Sequence, residues 1–185
     1  FKNLHKRKEI NFAVYIKREA KRLPGIIMNL LNQLYEDYDK ENIRLNIFYF
    51  GLHSIEKVKY GINMGRISKT EIKKLYDKCD FGMVASMTNI SLVPYEMIAS
   101  GLPVIEFADG SYGTFLGEDT AILLESFSSK ELKNKMDNYI NNIPKLNSLC
   151  EKAQNKIKKL SWDISAEQFK IILENITIED KNKGI

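Results

Sequence analysis

Between Leu75 and Phe107 the chain reads LYDKCDFGMVASMTNISLVPYEMIASGLPVIEF, an order that few folds can accommodate. An apolar strand, Phe81 to Ala85, is followed by a polar loop and a short helix, Leu92 to Ser100, carrying one glutamate. Gly101-Leu102-Pro103 then stops the helix and a second apolar strand runs from Pro103 to Phe107. Near-continuous apolar strands joined through a helix are the mark of a parallel sheet covered on both faces. The end of such a sheet gathers helix-terminal N–H groups and a carboxylate, where nucleotides commonly bind.

The flanking sequence repeats the alternation. Asn11 to Ile16 reads as a first strand, and Leu23-Pro24-Gly25 as a break with proline suited to the following first turn. Ile26, Ile27, Leu30, Leu31 and Leu34 form one helical stripe that ends in the charged run Glu36 to Lys40. Leu45 to Phe50 is a second strand and Lys57 to Ile62 a weaker third. Ser68 and Glu71 have capping-box spacing, with Ile72, Leu75 and Tyr76 facing inward. Ala121 to Leu124 is a further strand, and Ser128 with Glu131 a second capping box. Helical periodicity resumes after Pro144 through Leu160, and Asp163 or Ser165 caps a last helix bearing Phe169 and Ile172. The expected fold is a single doubly wound α/β domain over residues 10–176, with a basic lead-in at 1–9 and a polar, frayed tail at 177–185.

Charge is uneven. Residues 1–22 carry eight Lys/Arg against two Glu, while the whole chain has a net charge of +4. That surplus admits a second reading, a non-catalytic domain docking on anionic membrane or nucleic acid. Cys79 and Cys150 stand in unrelated contexts, as expected of free thiols in a reducing compartment. No apolar run is long enough to span a bilayer, and no apolar leader opens the chain. The chain begins at Phe1, as expected of a piece of a longer protein.

Two places could carry chemistry. Ser91 suits an N-cap, Pro94 fits the first turn, and the N–H groups of Leu92 and Val93 are left to receive an anion. Glu96, four residues after Leu92, shares its helix face. It can accept hydrogen bonds from vicinal ribose hydroxyls or simply complement the helix dipole. The second place follows the first strand, where Lys17 and Arg22 can bind a phosphate, Arg22 as a fork, or be a solvated turn. Weaker signals read more plainly. Asp37-Tyr38-Asp39 lies on a charged helix end, and Gly110, Gly113 and Gly117 lack dinucleotide-fingerprint spacing. His5 and His53 have no paired acid or cysteine, so no metal centre is expected.

Taken together, Ile72-x-x-Leu75-Tyr76-x-x-Cys79-Asp80, Pro94-Tyr95-Glu96-Met97-Ile98-Ala99-Ser100-Gly101-Leu102-Pro103-Val104-Ile105 and Ser161-Trp162-Asp163 resemble a known pattern. It is that of the C-terminal donor-binding domain of GT-B glycosyltransferases, chiefly the family-4 group that builds bacterial surface polysaccharides. The resemblance covers roughly residues 10–175 and implies a Rossmann-like sheet forming the C-terminal half of a two-domain enzyme. It implies a nucleotide-diphospho-sugar donor, no metal or other cofactor, and an acceptor-binding N-terminal domain of the same protein. The implied setting is the cytoplasm, with peripheral contact at the inner face of the membrane and no nucleic-acid partner.

The resemblance also implies roles. Lys17 and Arg22 would hold the departing diphosphate and stabilise its charge, with the two residue types exchanged relative to the family. Ser91, Leu92 and Val93 would meet phosphate through backbone N–H groups, and Glu96 would bind the ribose. Gly65 and Ser68, in Gly65-Arg66-Ile67-Ser68, would line the base pocket. The family's first glutamate falls on Thr88, which supplies no negative charge to face the donor sugar. Ser86-Met87-Thr88-Asn89 and Tyr15-Ile16-Lys17 resemble a subgroup of rhamnosyltransferases with deoxythymidine-diphosphate donors. Glu106 either stands in for the missing acid or is a loop carboxylate without a role.

Overall fold

The computed structural model describes residues 8–182, with side chains through residue 176. Six strands form one parallel sheet: β1 (Glu9–Tyr15), β2 (Arg44–Phe50), β3 (Ile62–Asn63), β4 (Phe81–Met83), β5 (Val104–Phe107) and β6 (Ile122–Leu124). Their order is β3-β2-β1-β4-β5-β6. Seven α-helices occur among the described residues: α1 (Pro24–Lys40), α2 (Lys69–Lys78), α3 (Leu92–Ala99), α4 (Tyr112–Leu116), α5 (Ser129–Ile140), α6 (Ile143–Ile157) and α7 (Trp162–Asn182).

Strand residues alternate between two cores, as the pleat dictates. Ile10, Phe12 and Val14 of β1 join Leu45, Ile47 and Tyr49 of β2 under α1 and α5, which contribute Ile27, Leu31, Leu34, Leu132 and Met136. Ala13 and Phe50 face the other way, toward Leu75 and Tyr76 of α2, Met97 and Ile98 of α3, and Tyr112 and Leu116 of α4. The expected doubly wound sheet with helices on both faces is what forms. Strand order reverses direction at β1, between β2 and β4, so the crevice of this topology opens at the C-terminal ends of β1 and β4.

Three local expectations are corrected. The third strand is Ile62–Asn63, not Lys57 to Ile62. The segment before it is held elsewhere: the Tyr60 ring stacks on Tyr35 of α1 at 4.1 Å, and Lys59 pairs with Glu36 at 2.8 Å. The Asn63 side chain also donates to the carbonyls of His53 and Glu56, folding that loop on itself. Ser128 accepts from the Glu131 N–H, but the Glu131 carboxylate accepts from the Glu125 N–H and the Ser126 hydroxyl, so the reciprocal half of that capping box is not made. Ser161, rather than Asp163 or Ser165, caps α7 by accepting from the Ile164 N–H.

Helix α7 continues through Asn182, across most of the segment expected to fray. Lys2, His5, Lys6 and Arg7 of the basic lead-in lie outside the described residues. Among the described residues no helix is long and apolar enough to cross a membrane, and no group of three or more His, Cys, Asp or Glu comes together.

Candidate functional site

At the crevice, β1 delivers Tyr15 and Lys17, and β2 delivers Phe50 and Gly51. Helix α3 brings Val93 and Glu96 from the far side, and Arg66, Ile67 and Ile72 close the third wall. Together they line a cleft of about 430 Å³. Its floor is aromatic: the Tyr15 and Phe50 rings meet at 5.3 Å and Phe50 meets Tyr76 edge-on at 6.0 Å. Gly51 sits at φ +94°, where a Cβ would lie 2.7 Å from the Ile16 carbonyl oxygen and 2.8 Å from the Tyr15 ring. Only glycine turns the chain there without displacing the floor.

The charged groups of the cleft are Lys17, Arg66 and Glu96. Lys17 is half-exposed and lies 3.8 Å from Glu19, a surface pair too loose to occupy it. Glu96 is exposed and stands between this cleft and a neighbouring groove of about 550 Å³ lined by Leu92, Tyr95, Leu160 and Trp162. Below, the Tyr76 hydroxyl is buried without a hydrogen-bond partner. Burial pushes its pKa well above the usual phenol value, and the Glu96 charge adds to the shift.

The N-terminus of α3 is open in an unexpected way. Ser91 occupies the N-cap position, with φ −95° and ψ 174°, yet its side chain makes no capping bond and its Oγ is buried unpartnered. Pro94 removes one of the two possible partners. A capping hydroxyl takes an N–H two or three residues on, and here the third residue has none. The N–H groups of Leu92 and Val93 have no intrahelical partner in this first turn.

Arg22 is placed differently from Lys17. It ends a single 3-10 turn, Ala20–Arg22, and is only 5% exposed. Its Nη1 donates to the carbonyl of Ala85 at 2.8 Å and of Asn89 at 3.3 Å, both in the loop between β4 and α3. Thr88 is exposed at the tip of that loop, with its hydroxyl 3.4 Å from the Asn89 side-chain oxygen. Gly65 and Ser68 flank the cleft rather than line it. The Gly65 carbonyl accepts the Gly51 N–H, and Ser68 is engaged in a complete capping box with Glu71. Between them, Arg66 and Ile67 reach the cleft. Trp162 is 85% exposed beside Glu96.

Glu106 fits neither expectation. It is fully buried on β5 and accepts from the Ser86 N–H at 3.0 Å and the Ser86 hydroxyl at 2.6 Å. It faces no open space and is not a loose loop carboxylate. Burial pushes its pKa up to about 8, against the lowering effect of those bonds and of the Arg22 charge.

The arrangement offers an aromatic floor for a planar ring, a carboxylate for hydroxyls, and a lysine with a helix N-terminus for an anion.

No family model matches the chain, and no curated protein matches it by sequence. Solved structures do match in fold. One is the trehalose 6-phosphate synthase of Burkholderia multivorans, at TM-score 0.74 and 8% identity over 96% of this chain and 45% of that one. The sucrose-phosphate synthase of Thermosynechococcus elongatus matches at 0.66 and 15% identity, over 97% and 49%. TarM of S. aureus, in a complex containing UDP, matches at 0.67 and 15% identity, over 88% and 35%. This chain thus spans less than half the length of each of these enzymes, and its six-stranded parallel sheet carries the Rossmann-like fold of GT-B glycosyltransferase domains.

Proposed function

We propose that this chain is the donor-binding half of a glycosyltransferase. It would take a nucleotide-diphospho-sugar and pass the sugar to a polysaccharide or other surface-glycan acceptor. The observation that carries this reading is the convergence of Lys17, Glu96 and the uncapped start of α3 on one cleft at the reversal of strand order. The base lies on the Tyr15 and Phe50 side near Ile67, and the ribose hydroxyls bond to Glu96. The diphosphate meets Lys17 and the N–H groups of Leu92 and Val93, which stabilise the charge it gains as it leaves, without a metal ion. Transfer of a deoxyhexose such as rhamnose is a finer reading that the fold neighbours do not support.

The acceptor site belongs to a further domain of the same protein in this reading. The share of the fold neighbours that the chain spans supports it, and so do the apolar residues that α7 exposes, among them Trp162, Phe169 and Ile172. The isolated chain should therefore bind donor nucleotide and turn over little.

Calorimetric titration with UDP tests the site. Glu96→Ala and Lys17→Met should each weaken binding by about tenfold, the loss of one charge-assisted contact. Equal affinity for both variants and the parent chain would remove the assignment.

A further inference from the structure

Three segments far apart in sequence grip the loop between β4 and α3. From the 3-10 turn that follows β1, Arg22 Nη1 donates to the carbonyls of Ala85 and Asn89. From β5, the Glu106 carboxyl holds both the N–H and the hydroxyl of Ser86. From the loop after β5, the N–H and hydroxyl of Ser111 donate to the Ser86 carbonyl at 2.6 and 2.7 Å. Gly110 lets that last segment approach: a Cβ there would stand 2.8 Å from the same carbonyl oxygen. Ser86 is itself fully buried. Its N–H, hydroxyl and carbonyl are all satisfied from outside the loop, and the carbonyls of Ala85 and Asn89 by one guanidinium.

A charged guanidinium and a carboxyl are costly to bury, and they persist where geometry depends on them. The segment they hold carries Thr88 and delivers the uncapped N-terminus of α3 to the cleft. A loop without such bonds would sample many conformations and bind with an entropic penalty. We propose that Arg22 and Glu106 are positioning residues: they hold the 85–89 loop, and hence the phosphate-facing start of α3, in its binding conformation without touching the ligand. Lys17 is then the cation from this end of β1 that meets phosphate. The assignment rests on the nucleotide-binding reading above and departs from the sequence expectation that Arg22 forks a phosphate.

Salt separates the two roles. A cation in direct contact with diphosphate makes binding salt-sensitive, because mobile ions screen the contact. A residue acting through a buried loop weakens binding equally at low and high salt. UDP titrations of the full chain at both salts should show Arg22→Met weakening binding by about tenfold with an unchanged salt ratio. Lys17→Met should flatten the salt dependence. Glu106→Ala should weaken binding as Arg22→Met does, and Glu106→Gln, which can still bond to Ser86 from both atoms, should restore it. Ser111→Ala, a milder change at a half-buried residue, should act in the same direction. An Arg22→Met variant that flattens the salt dependence as Lys17→Met does would overturn the proposal.

Amide hydrogen exchange on the ligand-free chain gives a readout that needs no nucleotide. Exchange of residues 86–91 should quicken in Arg22→Met, Glu106→Ala and Ser111→Ala and return toward the parent rate in Glu106→Gln. Unchanged exchange in all of them sinks the positioning role. Absent UDP binding by the parent chain, with exchange altered as described, would instead remove the nucleotide reading and leave the loop clamp standing.

Discussion

Helix α6 turns Leu146, Leu149 and Ala153 into the body of the domain, whereas every residue of α7 from Trp162 to Ile176 is exposed. The two helices follow one another in the chain. Their sequences differ in how apolar residues are spaced. In α6 they recur every three or four positions, which makes one stripe that a single surface can cover. In α7, Trp162, Phe169, Ile172, Leu173 and Ile176 share one face, but Ile164 and Ile171 lie on the opposite one, so a single surface would leave those two uncovered. What this teaches is that helix formation and domain membership are separate matters. Helix α7 is capped and regular, yet its apolar surface remains uncovered.

The contrast can be broken most severely from the packed side. Phe12 is fully buried and meets Phe81 edge-on at 6.4 Å. Phe12→Ala should cost about 3–5 kcal/mol in urea denaturation. A loss as small as a surface substitution gives would mean that the sheet core is not where stability lies.

The next largest effect comes from charge inside the same body. Glu106 has a folded-state pKa raised to about 8 from an ordinary value of 4.5, with Ser86, Arg22 and Tyr112 around it. The folded state therefore holds the proton more tightly than the unfolded one. This contribution to stability is fully present below pH 4.5, and falls as pH rises toward about 8. Glu106→Gln removes the dependence, so its advantage over the parent chain should grow across that window, reaching on the order of a few kcal/mol. Parallel denaturation profiles for the two proteins at every pH would contradict it.

The smallest effect belongs to α7. Trp162→Ala in the isolated chain should change unfolding stability by less than about 0.5 kcal/mol, since its side chain covers little. A loss of several times that size would show that α7 packs on this domain after all, and would erase the contrast.

Much of this was legible from residues close together in sequence. The apolar runs around Phe12, Ile47 and Ile105 announced parallel strands, and Ser68 with Glu71 announced the start of α2, because both signals are local. Glu96 and Val93 could be assigned to one cleft with Lys17 only because a resemblance supplied the register between them. What escaped was set by distant partners. Arg22 reads as a free cation until Asn89, 67 positions away, supplies a carbonyl. Glu106, inside the apolar run Val104-Ile105-Glu106-Phe107, gave a sign of burial, but its partner Ser86 lies 20 positions back. Ser91 was a different kind of miss. Pro94 already denied it one of its two capping partners, and that was visible in the sequence.

The strand order has a consequence in time. The earliest described strand, β1, occupies the middle of the sheet, pairing with β2 from Glu9–Arg44 to Tyr15–Phe50 and with β4 only from Phe12–Phe81 to Val14–Met83. During synthesis, β1, α1 and β2 can assemble while the other edge of β1 stays open until β4 emerges. That edge is a strand-pairing template for as long as the wait lasts. Shortening the chain from its C-terminal end would strip β6 and then β5 from a margin, whereas losing Phe81–Met83 would reopen the centre.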